Sequence, residues 1–390
     1  MKKKLLFVND EMTLGGVSRI LNTLLSKLDQ DKYEIDLLVL NPHGELMDQI
    51  PKGINIIPSS PFFKYVDKDI NSLVKSKNIF EIYKKTVFFL IMKTGLIKNR
   101  IIKERKKILT KHYDVEFAAK EGFCTIFTAF GNTPNKLNWV QTDYKENNYA
   151  KRHINLLKSA LKKINMNIAC SQQVADAFKE VFSIDNVIVI HNMISEEPIR
   201  KQSLVEVNIP KNDKVNVISV ARFHPQKGVN RLINAIKYVK DSGVDILLTL
   251  IGDGLLMDDI KTQVNDLGLE KDVLFLGYQL NPYPYIRSND LFVLSSHYEG
   301  YPTIVIESLI CTTPVLAMEV AGVKNQITKE HYGAIIKNEQ QALNKALLAY
   351  CLDRNRLQRY KQALASYHYD NEKILKELCY YINNKIERGH

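Results

Sequence analysis

Short apolar strands alternate with amphipathic helices in two separate stretches of this chain, and no other feature limits its fold as tightly. Leu5–Val8 is an apolar run, followed by Thr13-Leu14-Gly15-Gly16 and by apolar residues at Val17, Ile20, Leu21, Leu24, Leu25 and Leu28. That spacing predicts three turns of helix. Ile35–Leu40 is the next strand, so the order strand, glycine loop, helix, strand predicts a parallel βαβ unit. Val115–Ala118, Leu137–Gln141, Ile168–Ala169 and Val187–Ile190 read as further strands, with Ser171 capping a helix that runs to Phe182. The rhythm restarts with the strand Val215–Ala221. A helix follows from Gly228 with Val229, Leu232, Ile233, Ile236 and Val239 on one face. Ile246–Ile251, Val273–Leu276, Leu291–Leu294 and Val315–Ala317 complete a second sheet. Residues 196–214 are polar, hold Pro198 and Pro210 and lack an apolar period, which predicts a connection between domains. The fold class is α/β, with two doubly wound domains. A basic amphipathic helix is expected from Glu372 to Ile386.

Other classes are disfavoured. At 390 residues the chain exceeds what one core usually supports. The first apolar run stops at Asn9-Asp10-Glu11, too short for a secretory h-region, and Val87–Met92 falls far short of the roughly 20 residues that span a bilayer. The expectation is a protein on the cytoplasmic side. Cys124, Cys170, Cys311, Cys351 and Cys379 are scattered and odd in number, so neither a disulfide framework nor a zinc site is indicated. The net charge of +11 is concentrated: residues 62–112 hold 14 Lys plus Arg against 4 Asp plus Glu, interleaved with Phe62, Phe63, Tyr65, Phe80, Tyr83, Phe88 and Phe89. Such a segment suits an anionic membrane surface. Nucleic acid is the rival partner and ranks below it, and ordinary helices with a solvated face are the plain alternative.

Three places can carry chemistry. Gly15-Gly16 lies between a strand and a helix N-terminus, where backbone amides can approach an anionic group; a tight βα turn explains the pair equally well. The GxGxxG pattern is absent, which argues against NAD. Arg222 and Lys227 share one βα loop at the carboxyl end of a strand, and two such cations can converge on a diphosphate, Arg bidentately and Lys as a point charge. The run Ser296–Glu307 places Glu299 on a loop and Glu307 in the second turn of a helix, with Pro302 ending the first segment and Thr303 as the expected N-cap. Both carboxylates suit the hydroxyl pairs of a sugar or a ribose.

Arg222…Lys227-Gly228, Gly252-Asp253-Gly254, Glu299-Gly300-Tyr301-Pro302…Glu307, Pro314-Val315 and Ala321-Gly322-Val323 occur in that order. The ordered set resembles the retaining glycosyltransferases of family 4 (glycosyl transferases group 1), which have the GT-B fold. The likeness is dense from Val215 to Gln326. It is sparser at Gly15-Gly16 and over 113–192, including Glu121-Gly122, Trp139-Val140 and Asn192, and thin over 62–112. It implies two facing Rossmann-like domains with a central cleft: 1–195 for the acceptor, 196–214 as linker, 215–368 for the nucleotide-sugar, and a helix in 369–390 returning to the first domain. By this resemblance Arg222 and Lys227 bind the donor diphosphate and stabilise the leaving nucleotide, so no metal or other cofactor is expected. Glu299 faces the donor sugar and Glu307 holds the ribose. Gly252, Gly254, Gly300, Tyr301, Pro302 and Thr303 border the donor, and Gly16 contacts its phosphate from the other domain. Gly15, Gln141, Asp143 and Asn192 fall on the acceptor or sugar side.

The function so implied is transfer of a sugar from a UDP-sugar to a hydroxyl of a growing, lipid-linked glycan. Bacterial capsule or another surface polysaccharide would be the product, made at the inner face of the plasma membrane. One departure stands out. The segment Trp139-Val140-Gln141-Thr142-Asp143 carries Gln141 where many members have His. Gln cannot become a cation, which leaves positioning rather than proton transfer. Two other readings stay open: a sugar-nucleotide epimerase of the same fold, and a non-catalytic nucleotide- or glycan-binding protein. The strings Asp29-Gln30-Asp31 and Asp67-Lys68-Asp69 read as polar loops, and His297 and His191 as structural.

Overall fold

The computed structural model describes residues 1–13, 15–66, 79–94, 96–146, 154–207, 209, 213–384 and 386. The string Asp67–Asp69 lies outside them. The chain divides into two compact units, Met1–Met193 with Glu372–His390, and Ile194–Asn371.

The first unit is built on seven parallel strands: β1 (Lys3–Asn9), β2 (Tyr33–Val39), β3 (Asn55–Ile57), β4 (Val115–Ala118), β5 (Asn135–Val140), β6 (Met166–Ala169) and β7 (Val187–Val189). Their order is β3-β2-β1-β4-β5-β6-β7, so the winding reverses between β1 and β4. The central strands are buried on both sides, which is why they read as unbroken apolar runs. Buried polar residues interrupt that rule, among them Asp36 in β2, Glu116 in β4, Asn138 in β5 and Asn167 in β6. Asn138 and Asn167 are fully buried register partners and bond each other at 2.9 Å, with the Thr125 hydroxyl donating to Asn138 at 2.6 Å. Helices α1 (Gly16–Lys27), α2 (Ile79–Lys93), α3 (Ile97–Ile108), α4 (Phe123–Ala129), α5 (Ile154–Leu161) and α6 (Gln172–Phe182) belong to this unit. Ser171 caps α6 as expected, its hydroxyl accepting from Val174 N–H.

The second unit holds six parallel strands: β8 (Val215–Val220), β9 (Ile246–Ile251), β10 (Val273–Gly277), β11 (Leu291–Leu294), β12 (Val315–Met318) and β13 (Gly333–Ile336). The order β10-β9-β8-β11-β12-β13 reverses between β8 and β11. Helices α7 (Glu196–Ser203), α8 (Val229–Asp241), α9 (Met257–Asp266), α10 (Tyr283–Ser288), α11 (Thr303–Ile310), α12 (Val323–Gln326), α13 (Gln340–Leu352) and α14 (Arg354–Ala363) accompany it. Leu232, Ile236, Leu248, Leu250, Val293, Leu316 and Leu347 meet in its core.

Three expectations need correction. The stretch 196–214 is not a bare connection: Glu196–Ser203 is a helix of the second unit. Pro198 sits in its first turn, where a missing N–H costs nothing, Arg200 Nη2 bonds Glu196 at 2.7 Å, and Ile199 and Ser203 are buried. Thr303 is the first helical residue of α11, not its cap; Pro302 holds that position without a side-chain bond. The edge strands β3 and β13 were not among the expected strands. The last helix, α15 (Asn371–Asn383), ends three residues before Ile386 and buries Ile374, Leu378 and Ile382. Asn371 is where the chain leaves the second unit, and its amide brackets the residue where the chain enters it. It accepts from Ile194 N–H at 3.0 Å and donates to Ile194 C=O at 2.7 Å.

Candidate active site

In an open parallel sheet the crevice beyond the strand carboxyl ends, where the winding reverses, is the usual ligand position. In the second unit that point lies between β8 and β11. The loop leaving β8 carries Arg222 and Lys227, and the loop leaving β11 carries Ser295 to Glu299. Lys227 Nζ bonds Glu299 Oε1 at 2.7 Å, and the Ser296 hydroxyl donates to the same oxygen at 2.5 Å. Glu299 is buried, whereas about a fifth of the Lys227 side chain reaches solvent. Arg222 is exposed, and no side-chain partner for it exists among the described residues. One cation is thus free and the other is held by a carboxylate, both just before the N-terminus of α8, whose dipole adds positive potential.

The two loops are laced together. Gln226 Nε2 donates to Tyr298 C=O at 2.9 Å, His297 N–H to Gln226 C=O at 2.8 Å, and the Ser295 hydroxyl to Lys227 C=O at 2.9 Å. Beneath them Arg231 of α8 donates from Nε to Ser295 C=O at 2.6 Å, from Nη2 to Ser296 C=O at 2.5 Å and from Nη1 to Asn338 Oδ1 at 2.7 Å. Asn338 in turn donates to His297 C=O at 2.8 Å. Burial pushes the Arg231 guanidinium down to about 10, still charged at neutral pH. Burial, and then the Arg231 charge, lower His297, so that imidazole stays neutral. Sequence reasoning missed Arg231, Ser296 and Asn338. Helical spacing turns Arg231 away from the Val229–Leu232–Ile233–Ile236 face, so nothing in the pattern marks it as buried.

Gly252 and Gly254 serve this lacing. Their φ angles are +141° and +154°, and a Cβ would stand 1.8 Å from Ala221 O and 2.6 Å from Phe223 O. Only glycine lets the β9 loop lie against the loop that presents Arg222. Gly300 follows Glu299. The Tyr301 ring is buried and its hydroxyl meets that of Tyr369 at 3.1 Å, so Tyr301 presents backbone rather than a phenol to this loop. Glu307 is buried in the second turn of α11, as its spacing from Glu299 required.

The first unit has its own reversal point between β1 and β4, where Lys120 forms an ion pair with Asp10. Gly15 and Gly16 open α1, and both are exposed. A Cβ on either would meet nothing within 4 Å, so packing inside the fold does not explain the pair. Gln141 and Asn192 lie beyond β5 and β7 and exchange two amide hydrogen bonds of 2.9 Å each. Gln141 N–H also donates to Glu121 Oε2 at 2.9 Å. The residue at the expected His position is therefore locked as a neutral amide pair. Asp143 is buried and accepts from Lys145 N–H at 2.9 Å. His191 Nδ1 lies 2.9 Å from Cys170 O, a structural contact. Asp29 pairs with Lys32 at 3.0 Å and accepts from Asp31 N–H, making an exposed turn.

Comparison with known proteins places this architecture. Overlap with Anabaena HepE in complex with UDP and glucose covers 98% of this chain and 100% of that one, with a TM-score of 0.70 at 17% identity. Overlap with Staphylococcus aureus TarM, solved with UDP, covers the same shares with a TM-score of 0.71 at 15% identity. This is the GT-B fold. Residues 200–366 match the family of glycosyl transferases group 1, and that segment contains Arg222, Lys227, Glu299 and Glu307. The glycosyltransferase MJ1059 of Methanocaldococcus jannaschii is 31% identical over 249 residues, 59% of this chain and 60% of that protein, so the match leaves two fifths of the relative's length unaligned. A Campylobacter jejuni enzyme is 24% identical over 335 residues, 84% of each chain. Its name makes it an N-acetylgalactosaminyltransferase acting on a diphospho-undecaprenol-linked saccharide.

Proposed function

We propose that the chain is a retaining glycosyltransferase of family 4 that moves a sugar from a UDP-sugar to a hydroxyl of a growing, lipid-linked surface polysaccharide. The observation that carries the reading is the Lys227–Glu299 bond across the β8/β11 reversal, with Arg222 exposed beside it. The relatives support a UDP donor and a lipid-linked acceptor, through the UDP in the HepE and TarM structures and the undecaprenol in the Campylobacter name.

In this mechanism Arg222 and Lys227 take the two phosphates of the donor. As the bond from the anomeric carbon to the diphosphate breaks, charge grows on the leaving oxygen, and fixed cations stabilise it without a metal ion. The diphosphate oxygen accepts the proton of the attacking hydroxyl on the same face, so configuration is retained. Glu299, oriented by Ser296 and Lys227, faces the sugar where positive charge develops. Glu307 holds the ribose hydroxyls. Gly15 and Gly16 leave an open approach for phosphate, and the Gln141–Asn192 pair positions sugar hydroxyls without titrating. We assign the basic aromatic stretch 62–112 to an anionic membrane surface, where a lipid-linked acceptor resides.

The test is product formation from UDP-, GDP- and ADP-sugars with lipid-linked glycan acceptors, with and without EDTA. Transfer from a UDP-sugar, unchanged by chelation and with the anomeric configuration retained, is expected. Conversion of the UDP-sugar without acceptor would make the chain an epimerase instead. Activity lost on chelation and restored by added metal would overturn the metal-free mechanism.

A further inference from the structure

Helix α2 is apolar on opposite sides. Phe88 and Met92 are buried, and Phe88 packs on Phe62 and Phe123 with ring centroids 5.2 and 6.1 Å apart. The other side carries Ile79, Tyr83 and Leu90 at i, i+4 and i+11, and these are 81%, 65% and 53% exposed. Phe80 beside them is 63% exposed, with Lys84 Nζ 3.9 Å above its ring, and Leu96 extends the patch beyond the helix. Among the described residues, sixteen large apolar side chains are exposed, and six of them fall between 79 and 96. An outward apolar stripe of this kind marks a surface with a partner.

The surrounding charge selects the partner. A second copy would set the same positive segment against itself, whereas an anionic bilayer complements it. The local balance overstates the attraction, however. Arg100 and Lys107 share Glu104, Arg105 is buried against Glu116, and Lys111 is bound by Glu34 and Asp36. Lys98, Lys103 and Lys106 remain exposed and without a partner among the described residues. With three of the six cations of α3 held by internal carboxylates, electrostatics draws the protein to the surface and apolar insertion must hold it there.

We infer that the outward face of α2, with Ile79, Phe80, Tyr83 and Leu90, inserts into the interface of an anionic lipid bilayer, while Lys98, Lys103 and Lys106 of α3 supply the attraction. This deepens the proposed action on a lipid-linked acceptor and rests on that reading for its purpose, but it is measured without any transfer reaction. The chain has one tryptophan, Trp139, and it is buried. Tyr83→Trp therefore adds a distinct exposed reporter. Its emission is expected to shift to the blue and to be quenched by brominated acyl chains in phosphatidylglycerol-containing vesicles, and not in pure phosphatidylcholine. Phe80→Ser/Leu90→Ser is expected to lower partitioning by about tenfold or more. Each of Lys98→Gln, Lys103→Gln and Lys106→Gln is expected to lower it about fivefold at low salt. All these side chains are exposed, so circular dichroism and melting should not change. An absent blue shift at low salt, unaltered partitioning of Phe80→Ser/Leu90→Ser, or a shift produced by protein concentration alone would overturn the inference. Insertion without sugar transfer would refute the functional reading and leave this one standing.

Discussion

Glu299→Gln separates the two roles assigned to the Lys227–Glu299 pair. At 2.7 Å the gross attraction is about 6 kcal/mol for an effective dielectric of 20. Desolvation and the partial exposure of Lys227 cancel most of it, leaving about 1 kcal/mol of net stability at stake. The amide can still accept from the Ser296 hydroxyl, so the loop keeps its lacing and Tm should fall by only a few degrees. Transfer responds differently. A carboxylate about 4 Å from a developing positive charge contributes up to about 4 kcal/mol at the same dielectric, and loss of half to all of that slows kcat about 30- to 1,000-fold. UDP binding should hold or tighten, because the diphosphate no longer competes with a carboxylate for Lys227. Lys227→Ala, by contrast, should weaken UDP binding about tenfold or more through loss of a charge-assisted bond. Titration calorimetry with UDP and initial rates of transfer read the two effects separately. Near-normal transfer by Glu299→Gln, or a loss of UDP affinity equal to that of Lys227→Ala, would refute the division of labour.

Other expectations follow from the same contacts. Arg231→Gln removes bonds to Ser295 and Ser296 carbonyls and should lower transfer while UDP affinity changes less, with Arg231→Lys recovering part of the rate; equal losses in both variants and in both assays would argue for plain unfolding. Arg105→Ala leaves Glu116 buried without its cation and should cost about 3 kcal/mol or more, read by urea denaturation; a cost below about 1 kcal/mol would contradict the pairing. For Asp272, burial alone would raise the carboxyl, but bonds from Lys214 and Lys240 outweigh it and hold the group below its usual range. Its stabilisation is present above the unfolded value and is lost as pH falls through the folded one. Asp272→Asn should therefore be less stable than the native chain at neutral pH, with the gap closing under acid; a gap that widens with acid would reverse the assignment.

Much of this was legible in the residues. Central strands buried on both faces give apolar runs with turn residues between them, and helices packed on one side give a 3.6 period. Every strand but β3 and β13 was read that way. Helix α7 hid for another reason: Pro198 reads as a breaker, yet it lies in a first turn where its lack of an N–H is harmless. Arg222 and Lys227 could be singled out because they share one βα loop at the carboxyl end of a strand, where open α/β sheets bind ligands, and Glu299 because it stands eight positions from Glu307 across a Gly-Tyr-Pro turn. What joins them was not legible. Arg231 and Asn338 approach the β11 loop from distant parts of the sequence, and contact across a sheet reversal has no local signature. The Gln141–Asn192 pairing is likewise non-local, 51 positions apart and set by the ends of β5 and β7, which flank β6 in the sheet. The charge of 62–112 was read at face value, and the fold spends part of it in internal ion pairs.

The most direct measurement is calorimetric titration of UDP into the native chain and into Arg222→Ala/Lys227→Ala, each with EDTA present. Metal-independent binding to the native chain, weakened at least about tenfold in the double variant, is the result predicted. Equal binding by both proteins, or none by the native chain, would remove the diphosphate site on which the mechanism stands.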